Sequence, residues 1–335
     1  MDHLSVRDRI HDVEKRILRS NACLAMNSQG RAKKELIDDL RTDFQRDRDR
    51  ILHSNAFSRL KEKTQVFFIP CGDHYVTRLV HSLEVSQIAR TVARGLKLNE
   101  DLVEAIALGH DIGHSPFGHV GEEVLNSICP HGFSHSENSV RVVNFLENHG
   151  EGLNLTYEVI DGIQHHSFGG EVAETLEGRL VSICDKVAYV NHDIDDAVRA
   201  GVISVDDLPE NCRRVLGDGK SERIATVVRS IIENSDDDIK MSPEVGKAQN
   251  ELRNYMFDNV YYSDQVQFEK DKVRNIVKMM YKYYKLHNSK LPEFYQKIAK
   301  QFDVDRAICD YISGMSDIYI TEQYVHFFVP KFLGI

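Results

Sequence analysis

The spacing of the apolar residues constrains the fold of this chain more than any other feature. In most windows they recur at intervals of three and four residues, the period of an amphipathic helix, whereas the strict alternation of a half-buried strand is rare. Only 7 prolines occur in 335 residues, so long helices are seldom interrupted. Hydrophobic residues make up 41% and charged residues 28%, as in globular proteins. The sequence therefore predicts an all-α globular fold.

Capping residues and breaks in the apolar pattern predict where several helices begin and end. Thr77 and Asn99 are suitable N-caps for two successive helices. A loop with glycine and proline, residues 113–118, follows the second of them. One continuous helix is predicted over residues 51–66, and another over residues 180–201.

Charge and hydropathy argue against two classes of protein. The 42 basic and 52 acidic residues give a net charge of −10, which is unsuited to bulk nucleic-acid binding because the phosphate backbone favours a positive surface. No stretch approaches the ~18 apolar residues of a membrane helix. The first residues are charged too early for a secretory signal. We therefore expect a soluble cytoplasmic protein that does not associate with membranes.

Histidine is concentrated in one part of the chain. Ten of the 16 histidines fall between His74 and His166. A chance cluster of surface histidines is the simpler interpretation. However, neutral imidazole binds divalent metals and titrates near pH 7, so this concentration favours a metal or acid–base site.

Four residues in and after this region are candidate metal ligands. His81 and His110 each continue the apolar face of a predicted helix, so both are expected to point inward. Asp111 lies at the end of the second of these helices, and Asp185 lies on the inward face of a third. A divalent ion in a helical core needs imidazole and carboxylate donors that converge from separate elements. The sequence predicts such a site.

The same residues resemble a known family. The pattern His81…His110-Asp111…Asp185 matches the H…HD…D signature of the HD-domain metal phosphohydrolases. Longer blocks of sequence are similar to the bacterial dNTP triphosphohydrolases, the dGTPase-like family. These blocks are residues 44–66, 77–84, 110–119, 185–189 and 192–196, in the order found in the family.

The resemblance implies an HD-domain helical bundle with additional C-terminal helices. Residues 1–66 would form an N-terminal helical segment, residues 67–200 the HD core, and residues 201–335 a C-terminal helical region packed on that core as one compact unit. In this family a dNTP is cleaved between its 5′ oxygen and the α-phosphorus, which gives a deoxynucleoside and inorganic triphosphate. The four candidate ligands would hold a divalent ion, Mn or Mg by expectation, although Fe, Co, Ni and Zn also suit mixed histidine and aspartate donors.

The resemblance also assigns catalytic roles. His119 matches a histidine that contacts the α-phosphate, and would act as acid or orienter for the 5′ leaving oxygen. His135 matches a catalytic histidine, with Glu137 as its partner, although a histidine near a glutamate at a helix start is otherwise ordinary. His114 lies in the same loop as His119, where a loop-stabilising role and a catalytic role are both open.

Further residues match substrate contacts of the family. Arg78 and Lys186 would bind the triphosphate. Tyr189 would pack on the deoxyribose, where its ring rejects a ribonucleotide, and Asp193 would bond the 3′ hydroxyl. Gln65 would reach the sugar or the base. Weaker candidates are His165, His166 and Arg253.

The sequence leaves other readings open. Another HD-type phosphohydrolase, acting on nucleoside monophosphates or signalling nucleotides, would share the metal ligands. A non-enzymatic regulator should have lost one ligand, and none is lost here. A homo-oligomer, hexameric or dimer-based, is expected, with a nucleotide or single-stranded nucleic acid as a conceivable effector. Four arginines could bind an activating nucleotide or be neutralised by neighbouring acids: Arg46, Arg48, Arg50 and Arg59.

Overall fold

A computed structural model describes residues 5–65, 76–167, 169–262 and 264–331, and the regular structure in these ranges is helical. Within them, β structure is limited to two isolated bridges, Arg31 with Thr156 and Thr64 with Thr77. The all-α prediction is therefore confirmed. None of the described helices is both long enough and apolar enough to cross a membrane.

Within the described ranges, sixteen α-helices follow one another. They are α1 Val6–Ile17, α2 Asp43–Leu52, α3 Asn55–Arg59, α4 Arg78–Leu96, α5 Glu100–Gly109, α6 Gly118–Ile128, α7 His135–Arg141, α8 Tyr157–Gln164, α9 Leu176–Arg199, α10 Glu210–Leu216, α11 Lys220–Asn234, α12 Pro243–Met256, α13 Asp264–Leu286, α14 Glu293–Gln301, α15 Val304–Ser313 and α16 Asp317–Phe328.

The predicted caps of α4 and α5 are confirmed. The Thr77 side chain accepts a hydrogen bond from the backbone of Val80, three residues into the helix. The Asn99 side chain accepts from the backbone N–H groups of Asp101 and Leu102. Each cap satisfies donors that have no carbonyl partner inside the helix. The helix predicted over residues 180–201 corresponds to α9, which begins earlier, at Leu176, and ends at Arg199.

The prediction of one continuous helix over residues 51–66 is wrong. The chain breaks after α2 and restarts at Ser54, whose Oγ accepts from the backbone N–H of Phe57 at 3.1 Å. The Glu147 carboxylate accepts from the first two N–H groups of α3, at 3.1 and 2.9 Å. These side chains satisfy the free donors of a new helix start, so the break costs little. Residue 66 lies outside the described residues.

Helices α4, α5 and α9 pack against one another in the larger of two clusters of buried apolar residues. Examples are Val85 and Ile88 on α4, Val103 on α5, and Val187 on α9, all of which are buried. Burying such a side chain contributes roughly 1.5–3 kcal/mol. This packing holds the backbones that carry the four candidate metal ligands.

The second apolar cluster joins α6 to the C-terminal helices. It includes Val124 and Leu125 of α6, Val277 of α13, Ile308 of α15 and Ile320 of α16. The helix that begins next to the loop at residues 113–118 is therefore supported by residues near the end of the chain. The division into regions 1–66, 67–200 and 201–335 stays a prediction.

Asp317, the first residue of α16, connects the C-terminal region to this loop. Its carboxylate accepts hydrogen bonds from the backbone N–H of Thr64 at 2.9 Å, from the Thr64 hydroxyl at 2.6 Å, and from the backbone N–H of Phe117 at 2.8 Å. Phe117 has a φ of 61°, a left-handed conformation that is costly for a bulky residue. Nearby, Lys63 Nζ donates to the carbonyls of His114 and Ser313. The C-terminal helices thus hold the loop in a strained shape.

We expect Asp317→Ala to lower the free energy of unfolding by about 2–4 kcal/mol, because it leaves buried donors without an acceptor. Urea denaturation measures this difference. Glu293→Ala is the matched control, since Glu293 is the exposed first residue of α14. The control should unfold like the unmodified protein. Equal unfolding of the two variants would contradict the role given to Asp317.

Candidate active site

The four candidate metal ligands meet where α4, α5 and α9 converge. The ligand atoms of His81, His110 and Asp111 all lie within 4.8 Å of one another. Asp185 Oδ1 is 3.0 Å from Nε2 of His81 and 3.7 Å from Nε2 of His110. Two imidazoles and two carboxylates therefore face one small volume, as the sequence predicts.

The orientation of His110 fits a cation in this volume. Its Nδ1 lies 2.7 Å from the carbonyl oxygen of Ala107, an acceptor, so Nδ1 carries the hydrogen. The Nε2 lone pair then faces the carboxylates of Asp111 and Asp185, at 3.5 and 3.7 Å. This buried nitrogen has no hydrogen-bond donor in the part of the chain that the structure describes. An unsatisfied lone pair between two carboxylates is what a divalent ion would satisfy.

The electrostatics of the cluster favour ionised carboxylates. Burial raises the pKa of Asp111, but the neighbouring His110 and the Arg78 guanidinium outweigh it and hold that pKa well below its usual range. Arg78 NH1 donates to Asp111 Oδ2 at 2.7 Å. Burial likewise raises the pKa of Asp185, but the hydrogen bond to His81 outweighs it and lowers the pKa. Two negative charges are therefore available to a cation.

A second group of titratable side chains lies beside the first. Glu122 Oε1 is 2.9 Å from Nδ1 of His135, and Glu122 Oε2 is 3.2 Å from Nδ1 of His119. Burial lowers the pKa of His135, but the hydrogen bond to Glu122 outweighs it and raises the pKa above its usual value. Glu122 thus joins two of the histidines that the resemblance assigns to catalysis.

Glu137, the partner expected for His135, is not in this group. His135 and Glu137 are two residues apart on α7, and side chains at that spacing do not share a helix face. Glu137 is exposed and lines a separate cavity with Arg141 and Arg306. In this structure the hydrogen-bond partner of His135 is therefore Glu122 and not Glu137. His119 and Glu122 lie three residues apart on α6, and that spacing was the sequence signal for Glu122.

His114 and His166 connect the two groups. The His114 ring stacks on His135 with centroids 4.0 Å apart, and its Nε2 lies 3.3 Å from Asp111 Oδ1. The His166 ring lies 5.0 Å from that of His110 and 5.1 Å from that of His135. Burial lowers the pKa of His166 to about 3. Both rings are therefore part of one continuous histidine cluster.

Both groups open into one cavity of about 510 Å³. The six residues expected to contact substrate all line it: Gln65, Arg78, His114, Lys186, Tyr189 and Asp193. Arg253 lines it as well, whereas His165 is directed to Asp161, at 2.8 Å. Tyr261 is a residue that the sequence did not single out. Its hydroxyl donates to Asp193 Oδ2 at 2.5 Å, which holds the carboxylate in place.

The arginines between residues 46 and 59 are paired with acids. Arg46 and Arg50 both bond Glu35, with N···O distances of 2.8 and 2.5 Å. Arg48 lies 3.0 Å from Asp49. Arg59 lies 3.8 Å from Glu147. Of the two readings that the sequence left open, neutralisation by neighbouring acids is the one that this arrangement supports.

Comparison with known proteins finds two families along the chain. Residues 78–190 match the HD domain, and residues 239–326 match the phosphohydrolase-associated domain. A match to the HD domain implies divalent-metal binding. The first match contains the four candidate ligands, and the second contains Tyr261 and Asp317.

Curated relatives match over nearly the whole chain. A protein of Caldanaerobacter subterraneus subsp. tengcongensis is 50% identical over 98% of this chain and 97% of its own length. Proteins of Clostridium perfringens strain SM101 and Geobacter metallireducens are 46% and 37% identical, over 98% and 92% of this chain and 99% and 94% of their own lengths. All three are named deoxyguanosinetriphosphate triphosphohydrolase-like protein. A solved structure of a hypothetical protein from Aquifex aeolicus matches at 20% identity, covering 83% of this chain and 67% of that one, with a TM-score of 0.47.

Removing one imidazole should weaken metal binding. We expect His110→Ala to lower the affinity for Mn²⁺ by at least about 100-fold, since losing even a group that supports a ligand costs 10–100-fold. Isothermal titration calorimetry with Mn²⁺ gives the dissociation constant. His131→Ala is the control, because His131 pairs with Asp303 at 2.8 Å away from this cluster. Unchanged affinity in the His110 variant would rule out its role as a ligand.

Proposed function

Because the chain belongs to the family of deoxyguanosinetriphosphate triphosphohydrolase-like proteins, which are HD-domain hydrolases, we propose that it hydrolyses deoxynucleoside triphosphates, dGTP among them, to a deoxynucleoside and inorganic triphosphate. The observation that carries this proposal is the shared cavity. Its lining includes residues of the metal-type cluster and of the histidine–glutamate group, several cations and a tyrosine–aspartate pair, so one bound substrate would contact all of them.

His81, His110, Asp111 and Asp185 would hold the divalent ion, for which Mn²⁺ and Mg²⁺ are the first candidates. When bound, such an ion polarises phosphoryl oxygens and makes water a better nucleophile at neutral pH. The protein's part is to keep the donor atoms in place. His110 is oriented by its bond to the Ala107 carbonyl, and Asp111 by its bond to Arg78.

Cationic side chains in the cavity suit a triphosphate. Arg78 and Lys186 are near the metal cluster in sequence and line the cavity wall. Lys270 and Arg274, from α13, line the same cavity. Burial lowers the pKa of Lys186, which indicates that its ammonium pays a desolvation cost that a bound phosphate would offset. We assign the triphosphate to the part of the cavity that these cationic side chains line.

The histidine–glutamate group would supply the proton to the leaving group. Attack of water on the α-phosphorus breaks its bond to the 5′ oxygen, and that oxygen must gain a proton. Glu122 accepts a hydrogen bond from Nδ1 of His119. When the ring is protonated, its Nε2–H is then free to donate to the 5′ oxygen. A proton released by the attacking water then returns His119 to its imidazolium form. His135, bonded to the same carboxylate, keeps Glu122 in position.

The pair Tyr189 and Asp193 suits a deoxyribose. They lie one turn apart on α9, so both face the cavity. Tyr261 donates to Asp193 Oδ2, which fixes the orientation of the carboxylate that we assign to the 3′ hydroxyl. A ring packed under the 2′ carbon leaves no space for a 2′ hydroxyl. We therefore expect dNTPs to be preferred over ribonucleotides.

Assembly and regulation stay predictions of the sequence. They comprise the homo-oligomer and an effector that is either a nucleotide or single-stranded nucleic acid. A cytoplasmic location also stays a prediction. The alternative function, hydrolysis of nucleoside monophosphates or signalling nucleotides by the same metal site, is an outcome of the product experiment below.

Product analysis tests the proposal directly. The protein is incubated with each dNTP, and with GTP, in Mn²⁺ or Mg²⁺, and products are separated by anion exchange. We expect deoxynucleoside and intact triphosphate from dNTPs, much less from GTP, and none from the His110→Ala/Asp111→Ala variant. Pyrophosphate with a nucleoside monophosphate would show that a different bond is cleaved. Turnover of monophosphates or signalling nucleotides alone would favour the alternative function.

Two glutamate variants test the proton donor. We expect Glu122→Gln to lower kcat by about 100-fold with little change in KM, because general acid catalysis contributes typically 10²–10⁴-fold. Glu137→Gln, which alters an exposed carboxylate on the other cavity, should retain normal kcat. Steady-state kinetics with dGTP compares them. A larger loss in the Glu137 variant would reverse the assignment.

A further inference from the structure

We propose that His114, His119, Glu122 and His135 form a second divalent-metal site, suited to zinc, beside the HD-type cluster. Each side chain offers one ligand atom, and the four atoms lie within 4.8 Å of one another. The histidine–glutamate group is then a coordination site as well as an acid–base group.

Glu122 lies at the centre of this site. Its Oε2 is 3.2 Å from Nδ1 of His119 and 3.0 Å from Nδ1 of His135. Zinc–nitrogen and zinc–oxygen bonds of about 2.0 Å in a tetrahedron place neighbouring ligand atoms ~3.3 Å apart. The separations around Glu122 are therefore already close to those of a tetrahedral ion.

The hydrogen bonding of His114 is an independent observation in favour of a metal ion at this site. Its Nε2 lies 3.3 Å from Asp111 Oδ1, and because a carboxylate can only accept, this contact favours the tautomer with the hydrogen on Nε2. Its Nδ1 lone pair is then buried, with no donor among the residues described. A histidine with a carboxylate on one nitrogen and a lone pair on the other has the arrangement of a metal ligand. The side chain is 2% exposed, so water does not readily satisfy it.

The stacking of two rings keeps these nitrogens together. The His114 and His135 planes differ by 11° at a centroid separation of 4.0 Å. His119 completes the set from the solvent side, where its side chain is 75% exposed. An ion could therefore reach the site through the cavity without opening the core. The triad of Asp111, His135 and His166 also clusters, but it offers only three donors and lies deeper.

The donor types indicate the ion. Three imidazoles and one carboxylate match zinc, whereas magnesium prefers oxygen ligands and retains its water. The HD-type cluster, with two imidazoles and two carboxylates, accepts harder ions such as Mn²⁺ as well as zinc. The two sites should therefore differ in selectivity. Under the function proposed above, on which this consequence rests, zinc in the second site would occupy the proton donor and inhibit hydrolysis.

Metal stoichiometry without substrate tests the site. The protein is stripped with a chelator, dialysed against Zn²⁺ in buffer, and its zinc measured by inductively coupled plasma mass spectrometry. We expect two zinc ions per chain in the unmodified protein and in the control His131→Ala. We expect one in His119→Ala and one in Glu122→Gln. His119 is exposed, so its replacement should not disturb folding.

Cobalt provides the second readout. Four-coordinate Co²⁺ absorbs strongly in the visible region, and the His119→Ala variant should lose the part of that absorption due to the second site. One zinc ion in the unmodified protein, or two retained in both site variants, would overturn the proposal. Because no dNTP is present, this outcome is independent of whether the protein hydrolyses dNTPs.

Discussion

The arrangement of the site depends on the burial of carboxylate charge between helices. Asp111 is buried, and Asp185 lies half-buried beside it. An isolated buried carboxylate is very costly unless it is paired and hydrogen-bonded. Here the cost is offset by the Arg78 guanidinium on Asp111 and by His81 on Asp185. A divalent ion would offset it further, and it would also satisfy Nε2 of His110, to which no described residue donates a hydrogen bond.

The charged groups keep these contacts only if the backbone segments that carry them stay in place. The apolar packing of α4, α5 and α9 provides that rigidity for the HD-type cluster. The histidine–glutamate group is supported differently, because α6 packs with the C-terminal helices. Asp317 and Lys63 then hold the intervening loop through its backbone. Contacts between residues 200 or more positions apart, Phe117 with Asp317 and Lys63 with Ser313, thus hold the loop that separates the two groups.

The two groups also share residues, which makes them one electrostatic unit. Asp111 contacts Arg78 with one carboxylate oxygen and His114 with the other. His166 lies between the rings of His110 and His135. A charge placed in either group is therefore felt by the other across a few ångströms of low-dielectric interior. Such coupling suits a site in which attack on phosphorus and protonation of a leaving oxygen must happen together.

What the sequence determined by itself was local. The period of the apolar residues established the helical class, and Thr77 and Asn99 marked helix starts, because a cap needs only the three residues that follow it. The inward positions of His81 and His110 followed from the same period. The long blocks shared with the dGTPase-like family covered the region of these ligands, and the relatives bear out the family.

What only the tertiary structure decided was the choice among partners at long range. His135 has a glutamate two residues later and another thirteen residues earlier, and in the folded chain its backbone N–H and its Nδ1 both bond Glu122. The bond from Tyr261 to Asp193 spans 68 residues, and the break before α3 depends on Glu147, more than 90 residues away. Periodicity and capping rules relate residues that are a few positions apart. Contacts between residues this far apart in the chain depend on many weak interactions that form only when the helices pack.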